Sequence, residues 1–277
     1  MAGMNKLQTL LGDPSTLLRV KSGKPFFMAH MIAGYRSDSE SEQVAQALVK
    51  GGADIIELQI PFSDPMADGP TIAVASEDAL KAGATVAKSL ELLKKVAAFG
   101  KPVAVMSYTN PVFRYGIPKF VKTIADAGAS ALIVPDCPFD TEEGQALIAA
   151  CKENNICFIP VVSPGVPEER LKQLASAGGG SSSGGKDLLG FVYCTSRQGI
   201  TGATSKFAKD LADFATLAKR VFNLPLAVGF GVKSKEDVQS LAKIADIVIA
   251  GSVFVDAIKA SGIGTVEKTI REIIQTE

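Results

Sequence analysis

Short apolar runs alternate with amphipathic segments along almost the whole chain, and this alternation is the strongest constraint on its fold. The apolar runs are rich in β-branched residues, as expected of strands that are buried on both faces of a parallel sheet. Strict alternation of strands and helices indicates an α/β protein with a parallel sheet, and eight repeats indicate closure into a (β/α)8 barrel, or TIM barrel. The predicted strands are Pro25–Ile32, Ile55–Ile60, Pro102–Tyr108, Ala131–Pro135, Cys157–Val162, Leu188–Cys194, Leu226–Gly229 and Ile247–Ala250.

The amphipathic segments predict the helices between these strands, and several of them end at a glycine that can form a left-handed cap. A short helical segment precedes the first strand, and no change of composition marks a domain boundary. We therefore expect residues 1–277 to form a single TIM-barrel domain with a short N-terminal helix. The predicted helices are Ser39–Lys50, Thr85–Phe99, Lys119–Gly128, Glu142–Asn154, Pro167–Ala177, Ser205–Phe222, Lys235–Lys243 and Val253–Gln275, the last broken near Gly262–Gly264.

Composition excludes several classes of protein. The 29 basic and 29 acidic residues balance, so no net charge attracts nucleic acid or an anionic membrane. Charged residues interrupt every apolar run, and the first residues lack the pattern of a signal peptide. The four cysteines form no C-x-x-C pair and there is one histidine, so no metal site is expected. Reduced cysteines in a core favour a cytoplasmic location.

Candidate catalytic residues follow the second predicted strand, in E-L-Q-I-P-F-S-D-P-M-A-D-G-P (57–70). In a barrel of this kind the active site lies on the loops that follow the carboxyl ends of the strands. Glu57 interrupts an apolar strand, and a buried carboxylate is costly without a partner, so it is a candidate general acid/base or else a paired structural residue. Asp64 and Asp68 lie in the stiff loop beyond it. Two carboxylates in different surroundings can divide the acid and base roles.

Glycines after the last two strands, in V-G-F-G-V (228–232) and I-A-G-S-V-F (249–254), predict a phosphate site. They let backbone N–H groups approach an anion, although two ordinary tight turns would have the same sequence. The segment S-R-Q-G-I-T-G-A-T (196–204) has the composition of a mobile lid or of a passive surface loop. Tyr108 and Tyr193 could flank a flat ligand or fill the core. For His30, the structural role is favoured over titration near neutrality.

A run of glycine and serine, Gly178–Gly185, follows a predicted helix and precedes a predicted strand. Such a run behaves as a flexible coil and cannot pack. Its position predicts the N-terminal face of the barrel, away from the chemistry. We interpret it as a tolerated loop extension or an engineered linker.

These blocks, together with S-Y-T-N-P-V (107–112) and S-R-Q-G-I-T-G-A (196–203), closely resemble the α subunit of tryptophan synthase. The similarity is collinear from about residue 25 to the C-terminus, and the block that begins at Glu57 is highly specific to this family. The alternative is another phosphate-binding barrel, such as an isomerase of the same pathway. The block argues against it, because phosphate binding in a barrel does not by itself require this loop sequence. The resemblance implies a (β/α)8 barrel that cleaves indole-3-glycerol phosphate to indole and glyceraldehyde 3-phosphate. It implies no metal and no organic cofactor in this chain.

The resemblance also assigns roles to residues. Glu57 and Asp68 match the family's catalytic glutamate and aspartate. Thr201 and Gly202 match its lid, where the threonine contacts the aspartate. The remaining matches are the phosphate-binding residues Gly202, Gly231, Gly251 and Ser252 and the pocket residues Tyr108, Ile133 and Tyr193.

A partner follows from the same resemblance: a β subunit that carries pyridoxal phosphate, receives indole through a tunnel and forms an α2β2 complex. The residues expected towards that interface are Pro61, Asp64, Asn110 and Pro138. Two alternatives remain, a free-standing lyase and a catalytically weak activator of a β subunit.

The sequence departs from the family pattern at three places in the expected pocket. Gln59 stands where the family usually has glycine, and His30 where it usually has an aromatic or apolar residue. The first strand also ends differently, in Ile32–Arg36. Relative to the family, we expect these departures to affect the shape of the pocket and the fit of the substrate, and to leave the acid/base pair in place.

Overall fold

The computed structural model describes residues 4–13, 19–20, 22–178, 190–195, 205–229 and 231–274. Within these ranges all strands belong to one parallel sheet in the order β5-β4-β3-β2-β1-β9-β8-β7-β6. The strands are β1 Phe26–Ile32, β2 Ile55–Gln59, β3 Val103–Met106, β4 Ala131–Ile133, β5 Cys157–Ile159, β6 Val161–Val162, β7 Val192–Thr195, β8 Leu226–Gly229 and β9 Ile247–Ala250.

The two end strands of this order, β5 and β6, are halves of one predicted strand, separated only by Pro160. β5 pairs with β4, and β6 pairs with β7. Pro160 has no N–H group to donate to a ladder, but its carbonyl accepts a hydrogen bond of 2.9 Å from the Tyr193 N–H. The interrupted strand thereby joins the two ends of the sheet, and the predicted (β/α)8 barrel is confirmed.

The helices confirm most of the predicted ones to within a few residues at each end. Two helices, Pro70–Lys81 and Thr109–Tyr115, were not predicted, and the break in the last predicted helix is a short 3-10 helix at Ile263–Thr265. The helices are α1 Lys6–Gly12, α2 Asp38–Gly51, α3 Pro70–Lys81, α4 Val86–Ala97, α5 Thr109–Tyr115, α6 Ile117–Asp126, α7 Glu142–Glu153, α8 Glu168–Ala177, α9 Ser205–Phe222, α10 Lys235–Leu241, α11 Ser252–Ser261 and α12 Val266–Ile274.

Side-chain caps fix where several helices begin. Ser37, Thr85 and Thr141 each accept a hydrogen bond from the backbone N–H three residues later, at the start of α2, α4 and α7. Such a cap satisfies one of the N–H groups that a helix leaves free in its first turn, and typically contributes about 1 kcal/mol. The caps hold each helix in register with the strand before it.

The buried apolar residues form two clusters, one between the sheet and the helices and one inside the barrel. Helix α1 closes the N-terminal end of the inner cluster. Its Leu7 is fully buried, and Asn5 Nδ2 donates to the carbonyls of Ser130 and Asn155 at 3.0 and 2.8 Å. With that end filled, the carboxyl ends of the strands are left for a binding site.

Most of the Gly178–Gly185 run lies outside the described residues, which resume at Gly190. Helix α8 ends at Ala177, and a Cβ at Gly190 would lie 3.1 Å from Leu7 Cδ2, so the chain re-enters the barrel beside α1. The predicted position of the run on the N-terminal face itself falls on residues outside the described ones. All four cysteines are buried. No helix in the described ranges is long and apolar enough to cross a membrane.

Candidate active site

Glu57 lies on β2 with its side chain inside the barrel. Alternation along the strand turns Ile55 into the inner cluster, and Glu57 and Gln59 point to the same side, two and four residues further on. Glu57 is 1% exposed and Gln59 is fully buried. A carboxylate in such a position has lost its water and depends on neighbouring polar groups for compensation.

The neighbour of Glu57 is His30 on β1. The parallel register places the two residues opposite each other, and His30 Nδ1 lies 3.1 Å from Glu57 Oε2. Burial by itself lowers the pKa of His30, but Glu57, Asp68 and Gln59 together outweigh it, so the pKa lies above its usual value. His30 is therefore a charge partner of Glu57 and does more than fill space in the core.

Asp68 lies in the loop between β2 and α3, and it is half-buried. Gln59 Nε2 donates a hydrogen bond of 2.6 Å to Asp68 Oδ2. Burial raises the pKa of Asp68, against the opposing effects of His30 and of hydrogen bonds from Gln59 and Tyr108. The two carboxylates thus occupy different surroundings, and each contacts a side chain whose role the residue pattern did not reveal.

The loop that carries Asp68 is tied to the barrel at both ends. Ser76 Oγ on α3 accepts a hydrogen bond from the Phe62 N–H at 3.0 Å and donates one to the Phe62 carbonyl at 3.2 Å. The Tyr108 hydroxyl accepts a hydrogen bond of 3.2 Å from the Ala67 N–H, next to Asp68. These contacts fix the aspartate over the mouth of the barrel.

The predicted pocket residues line the upper part of the barrel. Tyr108 is fully buried and its ring centroid lies 5.4 Å from that of Phe62. Ile133 is 2% exposed in the inner cluster, and Tyr193 packs against that cluster from β7. Burial raises the pKa of both tyrosines, and the charges of Glu57 and Asp68 raise it further for Tyr193. Both hydroxyls therefore stay protonated near neutrality and can donate hydrogen bonds.

A cavity of about 350 Å³ brings the candidate residues of three loops together. A second cavity, of about 600 Å³, shares the wall formed by Ala67–Pro70 and extends past Tyr108 to Arg170. Asp68 borders both cavities. The first is lined by His30, Asp68, Tyr193, Gly231, Gly251 and Ser252 among others.

The far end of the first cavity is the N-terminus of α11. Gly251 is its N-cap residue and makes no side-chain cap. The Phe254 N–H donates to the Gly251 carbonyl at 3.0 Å, so the N–H groups of Ser252 and Val253 are the ones in the first turn that an anion can use. A Cβ at Gly251 would lie 2.8 Å from His30 Cδ2, so only glycine fits beside the ring. Gly231 has a φ of +57°, which favours glycine as well. Three of the predicted phosphate residues, Gly231, Gly251 and Ser252, thus line one cavity, whereas Gly202 lies outside the described residues.

The residues expected towards a partner follow β2, β3 and β4. Asp64, Asn110 and Pro138 are exposed, whereas Pro61 is buried at the base of the loop. Two exposed apolar residues were missed: Met66, which is 86% exposed, and Phe113, which is 62% exposed. Met66 lies two residues after Asp64, and Phe113 lies three residues after Asn110. A large apolar residue in a polar, turn-rich segment is the sequence feature that could have predicted their exposure.

Thr201 and Gly202, with the rest of the predicted lid 196–204, lie outside the described residues.

Comparison with known proteins identifies one family. The profile of the family described as tryptophan synthase alpha chain matches residues 18–277. A tryptophan synthase alpha chain from Desulforapulum autotrophicum is 38% identical over 247 residues, which are 89% of this chain and 93% of that one. Another, from Methanosarcina barkeri, is 40% identical over 232 residues, 83% of this chain and 82% of the relative.

Solved structures give the same result. A structure of Mycobacterium tuberculosis tryptophan synthase matches with a TM-score of 0.82 and 32% identity, over 98% of each chain. Tryptophan synthase subunit alpha from Campylobacter jejuni matches with a TM-score of 0.77 and 36% identity, over 90% of this chain and 96% of that chain.

Proposed function

The chain belongs to the tryptophan synthase alpha chain family, and we propose that it cleaves indole-3-glycerol phosphate to indole and glyceraldehyde 3-phosphate through Glu57 and Asp68. Membership makes it a lyase of tryptophan biosynthesis that carries the alpha reaction of tryptophan synthase. The assignment of residues rests on one observation. Two carboxylates lie at the mouth of one barrel in different surroundings, Glu57 beside His30 and Asp68 beside Gln59. The cavity beside them ends at a helix N-terminus suited to a phosphate.

Glu57 is suited to the proton transfers at carbon. Cleavage of the side chain requires a proton at C3 of the indole ring, which places positive charge over the ring nitrogen. A carboxylic acid inside the barrel can deliver that proton, and its carboxylate can then take the proton of the side-chain hydroxyl as the C–C bond breaks. Steps of this kind typically contribute about 10²–10⁴-fold each.

Asp68 is suited to the ring nitrogen. Its carboxylate can accept a hydrogen bond from N1–H and stabilise the positive charge that develops when C3 is protonated. Gln59 and Tyr108 hold it by hydrogen bonds that favour the charged form. Tyr108, Ile133 and Tyr193 would contact the flat ring, and closure of a lid that includes Thr201 and Gly202 would exclude water.

The phosphate would bind at the N-terminus of α11. The backbone N–H groups near Gly251 and Ser252 provide partial positive charge, and Gly231 faces the same cavity from the loop after β8. The glycerol chain would then run from this site to the two carboxylates.

A β subunit is the partner implied by the family, and we propose that it covers the mouth of the barrel in an α2β2 complex. Asp64, Asn110 and Pro138 would contribute polar and rigid contacts there, with Pro61 behind them. The exposed Met66 and Phe113 favour this face, since exposed large apolar side chains mark interaction sites. Pyridoxal phosphate would belong to the partner.

Product analysis tests the proposed reaction. The purified chain, incubated with indole-3-glycerol phosphate, should release indole and glyceraldehyde 3-phosphate in equal amounts, with a large increase when a β subunit is added. Fast release without the partner would favour a free-standing lyase. No release under either condition would contradict the assignment and leave a binding role.

Gly251→Ala tests the phosphate site. Because the added Cβ would collide with His30, either the ring or the loop must shift, and we expect KM for indole-3-glycerol phosphate to rise about tenfold or more, equivalent to ~1.4 kcal/mol of binding. Steady-state kinetics and competition by inorganic phosphate measure the change. The matched control is Gly264→Ala, where a Cβ would meet nothing within 4 Å. An unchanged KM would place the phosphate elsewhere.

Replacing Gly178–Gly185 with a short turn tests the orientation of the barrel. The chain resumes after the run at Gly190, beside Leu7 of α1, so we expect turnover to stay within about twofold and the melting temperature to be unchanged or higher. A large loss of turnover in a variant that keeps its circular dichroism spectrum would show that this segment contributes to the active site.

A further inference from the structure

The proposed acid–base cycle leaves one buried titratable group unused, the His30 imidazole. It is the only histidine of the chain. Its Nδ1 lies 3.1 Å from Glu57 Oε2, and the two side chains are 9% and 2% exposed. Because solvent cannot compensate either charge at this depth, the pair must balance its own charge.

The surroundings of His30 leave its ring little freedom. Gly251 lies directly against it, close enough to exclude a Cβ, and the strand pairing of β1 with β2 fixes its backbone opposite Glu57. The ring also borders the cavity that contains Asp68. His30 Nε2 and Glu57 Oε2 are both buried and make no hydrogen bond among the described residues, so the contact between Nδ1 and Oε2 is an ion-pair contact. The imidazole is thus held between the carboxylate and the cavity with Nδ1 towards Glu57.

We propose that His30 and Glu57 act as one acid–base group, in which His30 stores the proton that Glu57 exchanges with the substrate. His30 is a positioning residue in this scheme, since it acts through Glu57. The inference rests on the proposed function, because it concerns the same proton transfers at C3 and at the side-chain hydroxyl.

The proton balance closes over one turnover. The pair begins with one exchangeable proton, carried by the His30 imidazolium beside the Glu57 carboxylate, and this proton passes to Glu57. Glu57 gives this proton to C3, the C2–C3 electron pair forms the C–H bond, and positive charge appears at N1. When the hydroxyl loses its proton to Glu57, the C–C bond breaks, its electron pair returns to the ring and an aldehyde forms. Glu57 passes the proton back to His30, and the pair ends as it began.

The charges around His30 favour this role. The net effect of Glu57, Asp68 and Gln59 raises the pKa of His30 in spite of its burial. One described cation shares its cavity, Lys233, and that side chain lies 3.4 Å from Asp256. The titratable and charged groups that face His30 or share its cavities are Glu57 on β2, Asp68 after β2, Tyr193 on β7, Lys233 after β8 and Tyr35 after β1.

The single histidine permits a direct test by nuclear magnetic resonance. In the untagged chain the imidazole Hε1 and Cε1 signals belong to His30 alone, and we expect them to titrate above the ordinary value of about 6.5. Glu57→Gln should lower that titration point by about one unit or more, whereas the exposed Glu91→Gln should not move it. A wild-type titration at or below 6.5, or one unaffected by Glu57→Gln, would overturn the proposal without any activity assay.

The pH dependence of turnover separates proton storage from packing. His30→Gln keeps a polar partner for Glu57 but cannot store a proton, so the alkaline limb of kcat should move about one to two units to lower pH, because ordinary carboxylic acids lose their proton well below imidazole. At pH 8 this is a loss of about 10–100-fold in kcat with KM changed less than about twofold. An alkaline limb identical to that of the wild type would contradict the role of His30.

Stability provides a second readout on the same variant. A raised pKa in the folded state means that protonated His30 stabilises the fold below the unfolded pKa, and that this contribution is lost as the pH rises through the folded pKa. The wild type should therefore lose stability relative to His30→Gln as the pH rises from about 6.5 through the folded pKa, and a difference in stability that does not change with pH would contradict the His30–Glu57 pair. An inactive wild type would contradict the proposed function. An active wild type, combined with a His30→Gln variant whose pH profile of kcat and pH dependence of stability match the wild type, would contradict only this inference.

Discussion

Glu57→Gln should lower kcat for indole release by about 10²–10⁴-fold, which corresponds to ~3–5 kcal/mol of activation free energy. Glutamine has nearly the shape of glutamate, so the side chain still fits the inner cluster and can still contact His30. It can neither deliver a proton to C3 nor take one from the hydroxyl. We expect KM to change little, because the ring and the phosphate keep their contacts. Steady-state kinetics with a β subunit present measure the effect.

The control for this variant is Glu91→Gln on α4, an exposed glutamate whose side chain pairs with Lys94. It makes the same chemical change outside the barrel and should keep the wild-type kcat. Circular dichroism and the melting temperature of Glu57→Gln verify that the fold is intact. A folded Glu57→Gln variant that retains more than about a tenth of wild-type turnover would remove Glu57 from the acid–base role.

Asp68→Asn should have the second largest effect, again about 10²–10⁴-fold on kcat, since it removes the charge opposite the developing positive charge at N1. Gln59 Nε2 can still donate to the asparagine oxygen, so the loop is expected to keep its conformation. The neutral amide, however, cannot stabilise the protonated ring as a carboxylate does. The matched control is Asp126→Asn on α6, whose carboxylate is exposed and pairs with Lys122.

The two variants are distinguished by binding. Both variants should bind a non-reactive indole–phosphate analogue. Only Asp68→Asn replaces the charged acceptor of the N1–H hydrogen bond with a neutral one, so the Kd of the analogue for this variant should rise by about 10-fold. Equal affinity of Asp68→Asn and wild type, combined with wild-type kcat, would show that Asp68 has a purely structural role in its loop.

The barrel could be predicted from the sequence because each strand is an apolar run bounded by helical periodicity. The break of the fifth strand at Pro160 could also be anticipated, since proline cannot donate to a ladder. Helix α3 was not predicted: Pro70–Lys81 follows directly on a loop rich in proline and glycine, and no helix was assigned between that loop and Thr85. Pro70 at its first position is in fact a helix-start signal. Helix α5 is a short helix of seven residues with no side-chain cap, so it gave little signal.

The candidate site could be predicted in part. The positions of Glu57, Asp68 and the phosphate-site glycines followed from the strand ends and from the resemblance. The pairs His30–Glu57 and Gln59–Asp68 did not, because they depend on the register of β1 against β2 and on side-chain direction. Alternation along β1 puts Phe26 and Met28 inside the barrel, and therefore His30 as well. This alternation is the sequence feature that could have placed His30 on the same side as Glu57. The distance to Glu57 required the structure.

The most direct test of the central claim is the rate of indole release from indole-3-glycerol phosphate by the wild-type chain and by Glu57→Gln, each alone and with a β subunit. We expect slow release by the wild type alone, a large increase with the partner, and release by Glu57→Gln near the background under both conditions. Equal rates for the two proteins would contradict the assignment of Glu57 as the acid–base residue of this barrel.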